Sequence, residues 1–266
     1  MRIVVCAKQV LDPDAVNNYA LEGRLEIGDD GKSLTQASIP RLMNAYDEQA
    51  IEAALKMRDA GQDVTLVVVC VGPESIDPLK HAASLGADEI VQIDVDPTSI
   101  DYHSVARILA AYVEKTGGAD LILCGRQASD DDQGVVPGIL SEHLDRPLIT
   151  IARSVDVADG SVKVIRVTPD GDETVEATLP AIVTVSNEIG EPRYPTMQAK
   201  MKSRKRKPEV MTLDDLGVSA ADVAPRVALT KQFVPTVKGD CEMIDGGSAA
   251  ELADRLVARL REESAL

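Results

Sequence analysis

Apolar positions in the first half of this chain fall into short continuous runs separated by stretches of helical spacing. Residues 2–7 (RIVVCA), 63–71 (DVTLVVVCV), Glu89 to Ile93 and 120–124 are mostly apolar on consecutive positions, which predicts strands buried on both faces. Between the first two runs, Asn44 opens a helix with Asp47 three residues on and Ile51, Ala54 and Leu55 on one face. A second helix is expected from about Ser75 to Leu85, ended by Gly86. A third runs from Ser104 to Lys115, with Val105, Ile108, Leu109, Tyr112 and Val113 on one stripe and Gly117-Gly118 behind it. Strand and helix alternate four times at a spacing that suits right-handed crossovers. The expected fold class is therefore α/β, a doubly wound parallel sheet with helices on both faces. Only Lys8 to Thr35 breaks the rhythm, as a long polar loop with Asp12-Pro13 and Gly28 to Gly31 as turn signals.

After Pro147 the pattern changes. Residues 149–157, 161–168, 173–178 and 181–186 read as strands joined by Ala158-Asp159-Gly160 and Asp170-Gly171-Asp172, a meander that adds antiparallel strands to the sheet. Residues 188–207 stand apart, since Pro192 and Pro195 break any strand and a short helix can start at Thr196, placing Met197 and Met201 one turn apart with Lys200 and Arg204 on the adjoining face. From Pro208 to Gly247 there is little regular pattern, with Pro225, Pro235 and Gly239 scattered through it. This reads as an arm that ends in a helix from about Ser248 to Glu263, carrying Leu252, Leu256 and Leu260. The expected organisation is an α/β domain with its antiparallel extension over residues 1–190, a separate segment over 191–207, and a C-terminal arm and helix over 208–266.

Ligands of open parallel sheets bind outside the carboxyl ends of the strands. Those ends are Ala7-Lys8, Val71-Gly72 and Gly125-Arg126, so three loops are expected to converge on one cleft. The stretch LILCGRQASDDDQGVVPGIL, Leu121 to Leu140, is strand, small-residue loop and helix start in succession, an arrangement that offers backbone N–H groups to an anion. It is neither a P-loop nor a G-x-G-x-x-G fingerprint, and an ordinary βα connection rich in turn formers reads equally well. Asn44 likewise reads as an N-cap or as a ligand contact. Asp130, Asp131 and Asp132 would repel a phosphate beside them; they are expected to cap the following helix, with at least one alternatively accepting hydrogen bonds from ribose or adenine.

Composition narrows the function classes. Net charge is −16, against whole-surface nucleic-acid binding. No run approaches the length of a membrane span, and residues 2–10 already read as a strand rather than as a signal peptide. Cys6, Cys70, Cys124 and Cys241 form no C-x-x-C pair and share no ligand-like spacing with His81, His103 or His143; buried reduced thiols of a cytoplasmic protein are expected, without a metal. Against this acidic background, six of the eight residues from Lys200 to Lys207 are basic. A solvated charge run, a nucleic-acid or localisation patch, and a docking helix for an acidic protein partner all compete here. The paired methionines favour the docking helix, and the lack of an aromatic platform speaks against nucleic acid.

Taken together, VCAKQV, MNAYDEQAIEAAL, SLGAD, GRQASDDDQGVVPGILSEHL, ATLPAIVTV and EIGEPRYPTMQAKMKSRKRK resemble the β (small) subunit of electron-transfer flavoproteins, over nearly the whole chain. The resemblance implies an adenine-nucleotide-binding α/β fold and a heterodimer with a larger α subunit that carries FAD. It implies AMP in this subunit, or FAD in electron-bifurcating members, where NADH reduces it. By motif matching the nucleotide site would use Ala7, Asn44, Ala45, Tyr46, Asp47, Val71 and the loop of Gly125, Arg126, Gln127, Ala128, Ser129, Asp130, Asp131, Asp132, Gln133, Gly134, Val135 and Val136. The resemblance also makes Glu191, Pro192, Arg193, Tyr194, Pro195, Thr196, Met197, Met201 and Lys202 the recognition loop for flavin dehydrogenases, with a quinone oxidoreductase as a further partner. Two departures stand out. Met197 matches a leucine anchor, and Gly134, Val135 and Val136 stand where many AMP-binding members have Asn, Gln and Thr, as in bacterial and archaeal more than mitochondrial members. Backbone N–H groups would then do more of the phosphate binding.

The expected function is an electron-carrier subunit without a catalytic acid, base or nucleophile of its own. One alternative is a bifurcating subunit whose FAD takes hydride from NADH. Another, from a different class, is a stand-alone adenine-nucleotide-binding protein; against it, the meander, the basic segment and the arm would have no job.

Overall fold

The computed structural model describes residues 1–73, 76–234 and 241–266. It divides into two compact units, Met1–Gln232 and Phe233–Leu266. In the first unit the strands are β1 (Arg2–Ala7), β2 (Gln9–Leu11), β3 (Arg41–Met43), β4 (Thr65–Val71), β5 (Glu89–Ile93), β6 (Leu121–Gly125), β7 (Leu148–Ala158), β8 (Ser161–Thr168), β9 (Gly171–Thr178), β10 (Ala181–Val185) and β11 (Glu209–Met211). The α-helices are α1 (Pro13–Leu21), α2 (Ala45–Asp59), α3 (Ile76–Leu85), α4 (Tyr102–Lys115), α5 (Val136–Leu144), α6 (Met197–Ser203) and α7 (Leu213–Leu216); α8 (Ala249–Glu262) lies in the second unit.

Nine strands form one sheet in the order β11-β5-β4-β1-β6-β10-β7-β8-β9. All neighbours from β11 to β7 pair in parallel, and β7-β8 and β8-β9 are antiparallel. Alternate strand residues point to opposite faces. Ile3, Val5, Leu66, Val68, Leu121 and Leu123 pack with α2 and α3 on one face. Val4, Val67, Val69 and Ile122 pack with α4 and α5 on the other. This is the doubly wound architecture with an antiparallel extension. From β1 the chain proceeds to β4 and β5 on one side and then crosses back to β6 on the other, so the order switches at β1.

Several expectations are corrected. The strand at 181–186 does not continue the meander: β10 returns to the sheet interior and pairs in parallel with both β6 and β7. Its five residues, AIVTV, are buried throughout, and a strand without a polar face belongs where both sides are covered. Lys8 to Thr35 is not one loop. Gln9–Leu11 pairs with Arg41–Met43, and Asp12-Pro13 starts α1, with Asp12 accepting from the Asp14 and Ala15 N–H groups and Pro13 at the first helical position. Of the stretch read as an arm, Glu209–Met211 joins the sheet beside β5, and α7 follows it. Ser75, Pro235 and Gly239 lie outside the described residues. Within the second unit, α8 begins with Ser248 accepting from the Glu251 N–H, while the Glu251 carboxylate answers the Ser248 N–H. Among the described residues no helix is long and apolar enough to cross a membrane.

Candidate functional site

A cavity of about 380 Å³ opens at the carboxyl ends of β1, β4 and β6, at the switch in strand order. The three strand ends named from the sequence meet there: Ala7 and Lys8 from β1, Val71 from β4, and Gly125 from β6 all line it. Asn44, Asp47, Gln127, Ala128, Asp131, Gln133, Gly134, Val135 and Val136 line it too. Ala45, Tyr46, Arg126, Ser129, Asp130 and Asp132, singled out by motif, do not reach the cavity wall.

Asp47 joins two of the three strand ends. Its carboxylate accepts from the Lys8 N–H at 2.8 Å and from the Gly125 N–H at 3.0 Å. Burial pushes this carboxyl up to about 7, against the opposing hydrogen bonds from Lys8, Asn44 and Gly125 and the Lys8 charge. Gly125 is required by the same packing: a Cβ there would stand 2.5 Å from Asp47 Oδ1 and 2.6 Å from the Tyr46 Cβ.

Asn44 occupies the N-cap position of α2, yet its side chain makes no capping bond. It reaches instead to the loop after β6, where Nδ2 donates to the Gln127 carbonyl at 2.8 Å and Oδ1 accepts from the Ser129 N–H at 3.2 Å. Asn44 and Asp47, one turn apart at the start of one helix, therefore shape the loop that follows a strand some eighty residues later.

The three aspartates do not cap α5. The N-cap of that helix is Val135, with no side-chain bond. Asp130 and Asp131 instead hold the Lys8 ammonium at 2.8 and 3.2 Å, and Asp132 accepts from Gln127 Nε2 at 2.7 Å with its own backbone at φ +51. The capping expectation failed because the loop turns at Asp132 and Gly134, both at positive φ, and carries the carboxylates away from the helix start. Burial opposes the Lys8 charge, but the two carboxylates hold its pKa above the ordinary lysine value. At Gly134 a Cβ would stand 2.7 Å from the Arg126 carbonyl.

Uncapped, the N-terminus of α5 leaves the N–H groups of Gly134, Val135 and Val136 without partners among the described residues, beside the cavity. Such a group of donors suits an anion. The opposite wall was not foreseen. Pro97, Ile100 and Asp101, with Tyr102, Val105 and Leu109 of α4, also line the cavity. The carboxyl end of the strand at Glu89 to Ile93 is the signal that would have found it, since its loop leads to the same edge. Asp101 also caps α4 and accepts from the Arg226 and Val227 N–H groups at 2.7 and 2.8 Å, and this holds its carboxyl down at about 2 despite the cost of burial.

The segment after the short 3-10 helix Asn187–Ile189 is built separately from the cavity. Thr196 caps α6 through the Ala199 N–H, and Met197 and Met201 are 72% and 64% exposed, beside Tyr194 at 90%. Arg193 is the inward-facing member, paired with Glu52 and Asp59 of α2.

Comparison with known proteins agrees with this architecture. The Electron transfer flavoprotein domain family matches residues 33–216. The chain is 32% identical to the electron transfer flavoprotein subunit beta of Bacillus subtilis, over 84% of this chain and 87% of that one. It is 30% identical to the human subunit beta, over 98% and 97%. It is also 30% identical to the caffeyl-CoA reductase-Etf complex subunit CarD of Acetobacterium woodii, over 99% of each. The chain belongs to the electron transfer flavoprotein family, among its β subunits.

Proposed function

We propose that this electron transfer flavoprotein β subunit binds an adenine nucleotide, AMP or FAD, in the cavity at the ends of β1, β4 and β6. The observation that carries the reading is the uncapped start of α5, whose free N–H groups at Gly134, Val135 and Val136 face a cavity of about 380 Å³. These donors take the phosphate, and the apolar wall of Ile100, Val105 and Leu109 takes the base. Lys8 offsets part of the charge of Asp130 and Asp131, which eases the approach of a phosphate to the acidic loop. The chain pairs with an α subunit whose FAD carries the electrons. Residues 191–207 dock flavin dehydrogenases, with Met197 and Met201 as exposed apolar anchors amid basic side chains.

A second reading is favoured by the Acetobacterium woodii relative, a subunit of a caffeyl-CoA reductase-Etf complex. In it the cavity holds a second FAD that accepts hydride from NADH. Co-purification with the α subunit, denaturation, and quantitation of released nucleotide separates the two. One FAD and one AMP per heterodimer identifies the plain carrier. Two FAD and no AMP identifies the bifurcating form, and no nucleotide beyond the α-subunit flavin would overturn both.

A further inference from the structure

Two thiols line the cavity beside the residues assigned to the nucleotide. Cys6 and Cys124 are register partners on the adjacent parallel strands β1 and β6. Their side chains leave the same face of the sheet side by side, in the apolar layer beneath α4 and α5, and both line the cavity. Cys70 lies on β4 opposite Ala7 and belongs to the other face. Cys241 is exposed in the C-terminal unit. Neighbouring strands are about 4.8 Å apart, a span that one atom bonded to both sulfurs can bridge.

We propose that Cys6 and Cys124 form a dithiol site that binds a trivalent arsenical across both sulfurs, reached through the cavity. With phenylarsine oxide, two As–S bonds form, the arsenic–oxygen bond is lost, and the oxygen leaves as water with the two thiol hydrogens. Arsenic stays trivalent, so no oxidant is needed, whereas a disulfide between the same sulfurs would require one. Ile100, Val105 and Leu109 offer the phenyl ring an apolar wall. The site goes beyond the nucleotide reading and does not depend on it.

The test treats the full chain with phenylarsine oxide and follows intact mass and thiol titration after denaturation. The expected result is a single phenylarsenic adduct that removes two of the four titratable thiols and is reversed by dimercaptopropanol but not by a monothiol. Cys6→Ala and Cys124→Ala should each lose the adduct; Cys70→Ala and Cys241→Ala should keep it. Peptide mapping of the unmutated chain, with residues 6 and 124 shielded from iodoacetamide, gives the same answer if a variant misfolds. No adduct, an adduct mapped to another pair, or one that survives in both Cys6→Ala and Cys124→Ala would overturn the proposal. Adduct formation slowed by AMP would place both ligands in one cavity. Formation at an unchanged rate would support the dithiol and count against the nucleotide.

Discussion

Glu52 and Arg193 lie 141 residues apart in sequence and meet as a two-pronged ion pair, Nε to Oε2 at 2.8 Å and Nη2 to Oε1 at 3.0 Å. The Arg193 N–H adds a third bond to the same carboxylate at 3.1 Å, and Nη2 reaches Asp59 at 2.7 Å. The Glu52 side chain is only 7% exposed, against 34% for Arg193. The pair therefore fastens the root of the 191–207 segment to α2, and its two carboxylates hold the guanidinium pKa above the ordinary arginine value. Arg193→Met should leave Glu52 buried without its counter-charge and cost about 2 kcal/mol, less than a fully buried pair because Arg193 is partly solvated. Urea denaturation measures this; an unchanged midpoint would show that the pair does not hold the segment.

Met197→Asp puts a charge on an exposed apolar side chain at the first turn of α6, the anchor of the proposed docking segment. Electron transfer from a flavin dehydrogenase that reduces the complex should fall at least about tenfold, the effect of losing one buried apolar contact and desolvating a carboxylate. Released nucleotide should stay the same. Equal transfer rates for the two proteins would remove the docking role from this helix.

Lys8→Met leaves Asp130 and Asp131 without their cation. AMP affinity, read by calorimetry, should weaken by about tenfold, the equivalent of one charge-assisted interaction. Added salt should recover part of the loss by screening the carboxylates. Unaltered affinity would mean that the two aspartates do not feel the ligand.

Asp47, with its carboxyl raised to about 7 by burial, binds a proton more tightly in the folded chain than in the unfolded one. Its stabilising contribution is full below the ordinary carboxylate pKa and is lost as pH climbs through about 7. Denaturation profiles between about pH 4.5 and 7.5 should therefore show a downward slope that is absent in Asp47→Asn. The variant should also be about 1–2 kcal/mol less stable near pH 5, because its NH₂ must face the Lys8 or the Gly125 N–H. A slope preserved in Asp47→Asn would assign it to another group.

Periodicity made the sheet readable wherever a strand is apolar on consecutive positions, as in RIVVCA and LILCG, because burial on both faces leaves a run that no loop tolerates. The Thr196 cap and the Met197–Met201 spacing located α6 for a similarly local reason. The misses are long-range. Nothing near AIVTV tells whether it follows its neighbour in a meander or inserts between β6 and β7. Asn44 carries the local signature of a cap, while its side chain is taken by a loop from another part of the chain. The aspartates of the loop look like helix caps until the distant Lys8 is seen to hold two of them.

Among the described residues the sheet ends on one side at β9, whose outer edge has no neighbour, and Asp172, Glu173 and Glu176 stand exposed on that strand. An unpaired edge is a template for adding strands from another molecule. Arg153 and Arg166 pair with Asp172 and Glu173, so a second copy approaching edge to edge would meet chiefly Glu176 and the net charge of −16 that each chain carries. Repulsion guards the flank that hydrogen bonding leaves unfinished, so the sheet can stay open there without growing into a fibre.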